Sequence, residues 1–503
     1  MSATPAHATT FPSDTAGLPR CRPTELVRLA DGDTYDLWIS PVTNRLGQTD
    51  VRMLAYNGSI PGPTLRAPQG AEVTLRVRND GDHETTVHWH GLRLENRYDG
   101  VPEETQAAIP VGGSFTYRVR FPDDGLYWYH PHVREDYGLE MGLYGNILVD
   151  PAGADAWPPA TRESIVTLDD VLVEDGRIAP FRVDGPTHTA MGRFGNVMLT
   201  GGSTDLRLAA RTGEVVRLYL TNTANTRIFN VAIPGSRMKL VGGDSGRYER
   251  EQAVEAVLLA PSERAVVDVL FERAGSFPLE HRTPDSTYRL GSVEVAHGDV
   301  VPSHAEAFAS LHENGALGAE RARLAAELER PPDRTLVFDA EMPAAAEPGG
   351  HAHDHDHHHA HDTGDGLEWE DLMPEINART DATNMIWKLV DESTGQANAD
   401  IDWSFRVGDR VKIRLVNTMD SDHPMHHPFH IHGAGRFLVI SRDGVTEPNL
   451  AWKDTVLIRA GETVDILLEV TSPGLWMAHC HIAEHNQDGM MFSFTVDADS
   501  TRS

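Results

Sequence analysis

A chain of 503 residues with 75 acidic and 44 basic side chains carries a formal net charge of −31, which disfavours nucleic acid and anionic membranes as partners. That length exceeds one compact core and implies two to four domains. Apolar content of 40%, with 44 glycines and 31 prolines, favours short strands joined by many turns over long helices.

Met1 to Arg20 shows neither a basic start nor an apolar run, so no secretory leader is read. The expectation is a cytoplasmic protein; the alternative is an extracytoplasmic one whose leader is absent from the sequence. No stretch is long and apolar enough to span a bilayer. Cys21 lies in a polar segment without other metal-ligand residues and reads as a free surface thiol. If Cys480 binds metal, no intramolecular disulfide remains.

Three copies of one pattern follow. Gly70 to Asn79, Gly213 to Asn222 and Gly408 to Asn417 each alternate apolar and polar residues after a glycine, as a half-buried strand does. A second repeated strand follows each: Gly113 to Val119, Ser262 to Leu270, and Gly461 to Leu468. A third element closes the unit. Gly125-Leu-Tyr-Trp-Tyr-His130-Pro-His132 matches Gly474-Leu-Trp-Met-Ala-His479-Cys480-His481 in its glycine, leucine and both histidines. The middle copy, Gly275 to His281, keeps the glycine and an aromatic but lacks the pair. The reading is an all-β chain of three Greek-key β-sandwich domains, at 24–150, 151–300 and 367–498, with metal ligands in the first and third and a structural second.

The stretch 301–366 reads as a linker. Within it Gly315 to Arg330 is rich in Ala, Leu, Glu and Arg and predicts one helix, ended by Pro331-Pro332. His351, His353, His355, His357, His358, His359 and His361 then crowd a run that cannot form a core. That run is either a solvated linker or a low-affinity trap for copper, zinc or nickel.

Four segments carry a His-x-His pair: His88/His90, His130/His132, His430/His432 and His479/His481. On a strand the two imidazoles of a pair share a face, with Cα atoms about 6.5–7 Å apart. This suits two neighbouring ions, each taking one ring, better than chelation of one. Cys480 between His479 and His481 faces the opposite way. With His485 and Met490 close behind, it supplies the thiolate, imidazole and thioether of a blue-copper electron-transfer site. One short segment thus touches two metal sites and connects them covalently.

These four segments resemble those of the multicopper oxidases, the laccase-like family of three cupredoxin domains, over about Met53 to Val496. Bacterial three-domain laccases and copper-efflux oxidases are the nearest in kind. The resemblance implies four coppers per chain. It places a type 1 ion on His427, Cys480, His485 and Met490, and a type 2 ion on His88 and His430. A type 3 pair falls on His90, His130, His132, His432, His479 and His481. It implies one-electron oxidation of phenols, aromatic amines or a low-valent metal ion such as Cu(I), coupled to four-electron reduction of dioxygen to water. Asp99 matches an acidic residue that the family keeps near the cluster, expected to orient water or relay protons. Many bacterial relatives carry a glutamate after the last type 1 histidine; here it is Asn486, which leaves the source of protons open. Glu484 and Asp488 lie nearby in sequence. His426 is an alternative to His427 as ligand, disfavoured by the His-Pro-x-His-x-His spacing. Trp89, Trp128 and Trp476 read as packing beside the ligands. Two rival functions remain: a copper nitrite reductase, needing fewer coppers, and a copper-storage protein without catalysis.

Overall fold

The computed structural model describes residues 9–153, 156–343 and 364–498. The histidine-rich run at 351–361 lies outside them.

The repeats account for the architecture. Three β-sandwiches follow one another, and each core draws side chains from two sheets. In the first, a four-stranded sheet (Thr49–Tyr56, Thr34–Leu46, Glu72–Asn79, Ser114–Arg120) faces a five-stranded one (Leu26–Arg28, Thr64–Pro68, Gly145–Asp150, Gly125–His130, His88–His90). The middle unit pairs sheets of six and five strands, the last unit sheets of seven and five. In every unit the two repeated strands are antiparallel partners: Glu72–Asn79 with Ser114–Arg120, Val215–Asn222 with Arg264–Leu270, and Arg410–Asn417 with Thr463–Val470. The third repeated strand lies in the opposite sheet and opens on Gly125, Gly275 or Gly474, at φ +148°, +144° and +141°. A side chain is disfavoured at such φ. At Gly474 a Cβ would also come within 2.4 Å of Asn96.

The asparagine ending the first repeated strand has the same task in all three copies. Its buried amide donates to two backbone carbonyls: Asn79 to His83 and Ile109 (2.8 and 2.9 Å), Asn222 to Arg227 and Leu259 (2.8 and 2.9 Å), Asn417 to Met425 and Ile458 (2.7 and 3.4 Å). Each amide pins the corner that turns the chain into the next strand of the other sheet. In the first and last units that strand carries ligand candidates, His88–His90 and His427–Ile431. In the middle unit it is Phe229–Ala232.

Two findings modify the sequence reading. The strand Arg334–Glu341, inside the stretch read as linker, pairs parallel with Arg410–Asn417 and belongs to the seven-stranded sheet. The preceding helix, Gly315–Glu329, is capped by the Asn314 side chain and packs Leu317 and Leu324 against Leu438, Ile440 and Leu467 of that sheet. Cys21 is a free thiol as read, but it is half-buried against the first core rather than at the open surface. The middle unit also reaches into the last one, where Ala190, Met191 and Phe194 lie within its core. No described helix is long and apolar enough to cross a membrane.

Replacing Asn417 with alanine leaves two carbonyls without their donor and should lower stability by about 1–3 kcal/mol. Asn222→Ala should cost a similar amount, yet only Asn417→Ala should disturb the site that His427 belongs to. Denaturant unfolding of the two variants, beside metal uptake of each, checks this.

Candidate metal centre

Strand pairing gathers the donors. His88–His90 lies antiparallel to Gly125–His130, with His88 opposite His130. His427–Ile431 lies antiparallel to Gly474–Cys480, with His430 opposite His479 and Phe429 opposite Cys480. The two sandwiches bring these sheet ends together, and all eight paired imidazoles are buried. Their donor atoms form triads lying within 4.8 Å: His88, His90 and His430; His90, His130 and His481; His132, His432 and His479. In three of the four His-x-His pairs the two rings go to different triads. His88 and His90 differ, sharing one triad with His430 while His90 also joins another.

The ring nitrogens show what the cluster is built for. A carbonyl or carboxylate only accepts, so each ring nitrogen facing one must carry the proton. Nδ1 of His88 donates to the Asp99 carbonyl (2.8 Å), of His130 to Pro131 (2.9 Å), of His430 to Asp454 (2.9 Å) and of His479 to Cys480 (2.8 Å). Nδ1 of His432 donates to Asp99 Oδ2 at 2.7 Å. The opposite nitrogen of each ring is then a bare lone pair. Nε2 of His88, His130, His132 and His430 is buried with no partner among the described residues. Nε2 of His432 and His479 face each other at 3.1 Å, two acceptors with no donor of their own. A bound cation satisfies such an arrangement. Burial pushes His90, His130, His132, His430, His432 and His481 well below the usual imidazole range, aided by neighbouring rings, and takes His479 to about 4. His88 is the exception: burial opposes its charge, but Asp99 raises it overall. Neutral imidazoles are the form that binds metal.

A second group lies on the other side of Cys480. His427 Nδ1 is 3.4 Å from Cys480 Sγ, and His485 Nδ1 is 3.8 Å away. The backbone of Met490 accepts from Cys480 N–H and donates to the His485 carbonyl, and its side chain is buried in the same core. Trp387 stacks on His485 with ring centroids 4.0 Å apart. Burial pushes the Cys480 thiol well above its ordinary range. His426 is turned away, its Nδ1 accepting from Glu368 N–H at 3.1 Å, so His427 is the histidine at this group.

Several contributors escaped the sequence reading. Glu135, fully buried, receives the Asn486 amide on Oε2 at 2.7 Å, while its Oε1 lies 3.1 Å from His130 Nδ1 and 3.6 Å from His481 Nε2. A carboxylate therefore stands at this edge of the cluster, but it comes from the first sandwich. Glu484 is engaged elsewhere, by Asn225 and Thr226, and burial pushes it up to about 7. Asp488 rises to about 7 through burial and the nearby Asp381. His423 is buried with Nε2 3.2 Å from the Met191 sulfur. Trp89, Trp128 and Trp476 are buried beside the ligand strands, and Trp128 stacks on His130. Met191 and Asp454 reach the site from distant segments, which no local motif could flag, whereas Glu135 lies just after the His130-Pro-His132 pair and was within reach of a local reading.

Comparison with known proteins agrees with this geometry. Multicopper oxidase family models match residues 40–154 and 372–500, the two sandwiches that hold the histidines. The chain belongs to the multicopper oxidase family. The multicopper oxidase MmcO of Mycobacterium tuberculosis is 29% identical, over 93% of this chain and 88% of the relative. The copper resistance protein A homolog of Pseudomonas syringae pv. tomato is 24% identical, over 93% and 92%. Among solved structures, the Campylobacter jejuni multicopper oxidase, titled a metallo-oxidase, superposes with a TM-score of 0.69 at 22% identity, covering 97% of this chain and 99% of that one. The laccase-like CueO of Ochrobactrum sp. reaches 0.70 at 22% identity, over 95% and 100%. As a multicopper oxidase the chain is an oxidoreductase, and the family implies copper. The bare nitrogens of the cluster and the buried thiol with its two imidazoles are donors that fit it.

Because proton and metal compete for Sγ, the raised thiol makes metal-free Cys480 a poor nucleophile. Iodoacetamide on the native, copper-depleted multicopper oxidase should label Cys21 first and leave Cys480 unlabelled. Copper uptake at Cys480 should release a proton and strengthen as pH rises. Mass mapping and a pH series of copper binding check both.

Proposed function

We propose that this multicopper oxidase holds four coppers, oxidises a small donor one electron at a time and reduces dioxygen to water. The observation that supports it most is Cys480, whose neighbours His479 and His481 belong to two different triads of the cluster while its sulfur faces His427 and His485. The type 1 ion is assigned to His427, Cys480, His485 and Met490, the type 2 ion to His88 and His430. The type 3 pair is assigned to His90, His130, His132, His432, His479 and His481. Bound copper would supply one-electron transfer at the thiolate end and four-electron reduction of dioxygen at the cluster end.

The chain's own residues do the rest. Cys480 offers a covalent path of a few bonds through its backbone to both flanking imidazoles. Burial of the cluster disfavours charge on its rings and is outweighed only at His88, which Asp99 raises. Asp99 fixes two ligands at once, His88 through its carbonyl and His432 through Oδ2. It thereby holds a proton on Nδ1 of each ring and directs Nε2 inward.

For the donor, a low-valent metal ion is favoured over a bulky phenol. His485 has no exposed surface, and the segment bearing Met191 covers this end of the site. A phenol ring has no direct route to that imidazole. The thioether of Met191 and the imidazole of His423, 3.2 Å apart beside the type 1 group, suit a soft monovalent ion such as Cu(I). A copper-resistance relative and a structural neighbour titled a metallo-oxidase agree with this preference.

Metal analysis and visible absorption of the copper-loaded protein test the central reading. Four coppers per chain with a blue band support it; two point to a nitrite reductase, and copper without oxygen uptake to a storage protein. Cys480→Ser should bleach the colour and abolish turnover while the cluster stays largely loaded. Met191→Leu keeps volume and should raise KM for Cu(I) about tenfold, leaving the rate with a small phenolic donor unchanged. Equal effects on both donors would overturn the metal preference.

A further inference from the structure

His90 is held the opposite way round from its neighbours. Five cluster rings are fixed at Nδ1 by carbonyls or by Asp99 and present Nε2 inward. His90 is fixed at Nε2, which lies 2.9 Å from Asp454 Oδ1 and 3.0 Å from Thr455 Oγ1, and its Nδ1 is the buried atom without a partner. Asp454 accepts there, so Nε2 carries the proton and Nδ1 is the free lone pair.

What holds Asp454 comes from the sandwich that has no ligands. The Arg264 guanidinium clamps both carboxylate oxygens, Nη1 to Oδ1 at 2.7 Å and Nη2 to Oδ2 at 2.5 Å. Its Nε donates to the carbonyl of Leu126, on the strand that ends in His130, and its Nη1 to the carbonyl of Ser262. Asp244 accepts from the Arg264 backbone N–H. Both members of the pair are 1% exposed, so the clamp has no competing water. The carbonyl of Asp454 also holds His430, which stacks on His90 at 3.8 Å between ring centroids. Gly91, next to His90, makes the approach feasible: at φ +84° a Cβ there would lie 2.4 Å from Asp454 Oδ2 and 2.8 Å from Arg264 Nη2.

We propose that Arg264 is a positioning residue of the cluster: by clamping Asp454 it fixes the reversed ring of His90 and the ring of His430, so that the middle sandwich helps to set the metal geometry. The inference rests on the reading of His90 and His430 as copper ligands. Asp454 spends one oxygen on His90 and Arg264 together, and the other on Arg264. An amide in its place cannot accept at both positions. With its NH2 toward His90 it would compel His90 Nε2 to accept and Nδ1 to carry the proton, which blocks ligation. Lysine in place of Arg264 keeps the charge but cannot span two oxygens and the Leu126 carbonyl.

The test compares wild type, Asp454→Asn and Arg264→Lys after copper loading, by metal analysis, visible absorption, electron paramagnetic resonance and steady-state kinetics. Wild type with four coppers establishes the ligand reading; wild type with fewer overturns that reading, and the inference with it, before any variant is considered. Given four, both variants should keep the full blue type 1 signal and an unchanged KM for the electron donor. They should lose cluster copper or show an uncoupled type 3 signal, with kcat down about 10–100-fold. Should Arg264→Lys fail to fold, Asp454→Asn, equal in size, decides alone. Four coppers, the wild-type cluster signal and unchanged kcat in Asp454→Asn, or loss of type 1 and cluster copper together, would overturn the proposal.

Discussion

A buried imidazole needs partners for two ring nitrogens, and at His88, His90, His130 and His430 the protein pairs one and leaves the other bare. Burial disfavours charge on the rings of the cluster and is outweighed only at His88, which Asp99 raises, so protonation is a poor remedy for the other unpaired nitrogens. The fold therefore carries a cost that bound cations relieve. The contact between the unprotonated Nε2 atoms of His432 and His479 is its clearest expression. Strand register, tight glycines and inward-facing carbonyls all serve to maintain that condition.

The division of labour among the sandwiches follows from it. The first and last supply the rings, since only there does the repeated corner lead into a histidine strand. The middle one supplies none, yet it is not a passive spacer. Arg264 reaches the cluster through Asp454, and the stretch Ala190 to Phe194 fills part of the last core over the thiolate site. Three units that share one repeated pattern thus build a common site with candidate ligands, covering segment and electrostatic support drawn from different copies. Asp99, Glu135 and Asp454 each act across a boundary between units, on His432, Asn486 and His90, which ties metal geometry to the packing of the sandwiches.

Much of the fold was legible because the signals were local. The period-2 alternation of the strands, the glycine opening Gly125, Gly275 and Gly474, and the thrice-repeated asparagine are set by backbone sterics and burial within a few residues. The strand Arg334–Glu341 was missed since it sits beside the histidine-rich run and across a long gap from its partner Arg410–Asn417. Its pairing is a matter of tertiary contact rather than of its own composition.

The sequence by itself determined which donors exist and how they are spaced: four His-x-His pairs, a cysteine between two of those histidines, and His427, His485 and Met490 behind it. These follow from residue type and the alternation of a strand, which need no knowledge of the rest of the chain. Only the tertiary structure decided which nitrogen of each ring faces inward. It also decided that Glu135 rather than residue 486 brings a carboxylate to the cluster, and that Met191 covers the thiolate site. For His90 and His432, for Glu135 with Asn486 and for Met191 with His423, the partner is hundreds of residues away, and one-dimensional spacing carries no information about what lies across an interface.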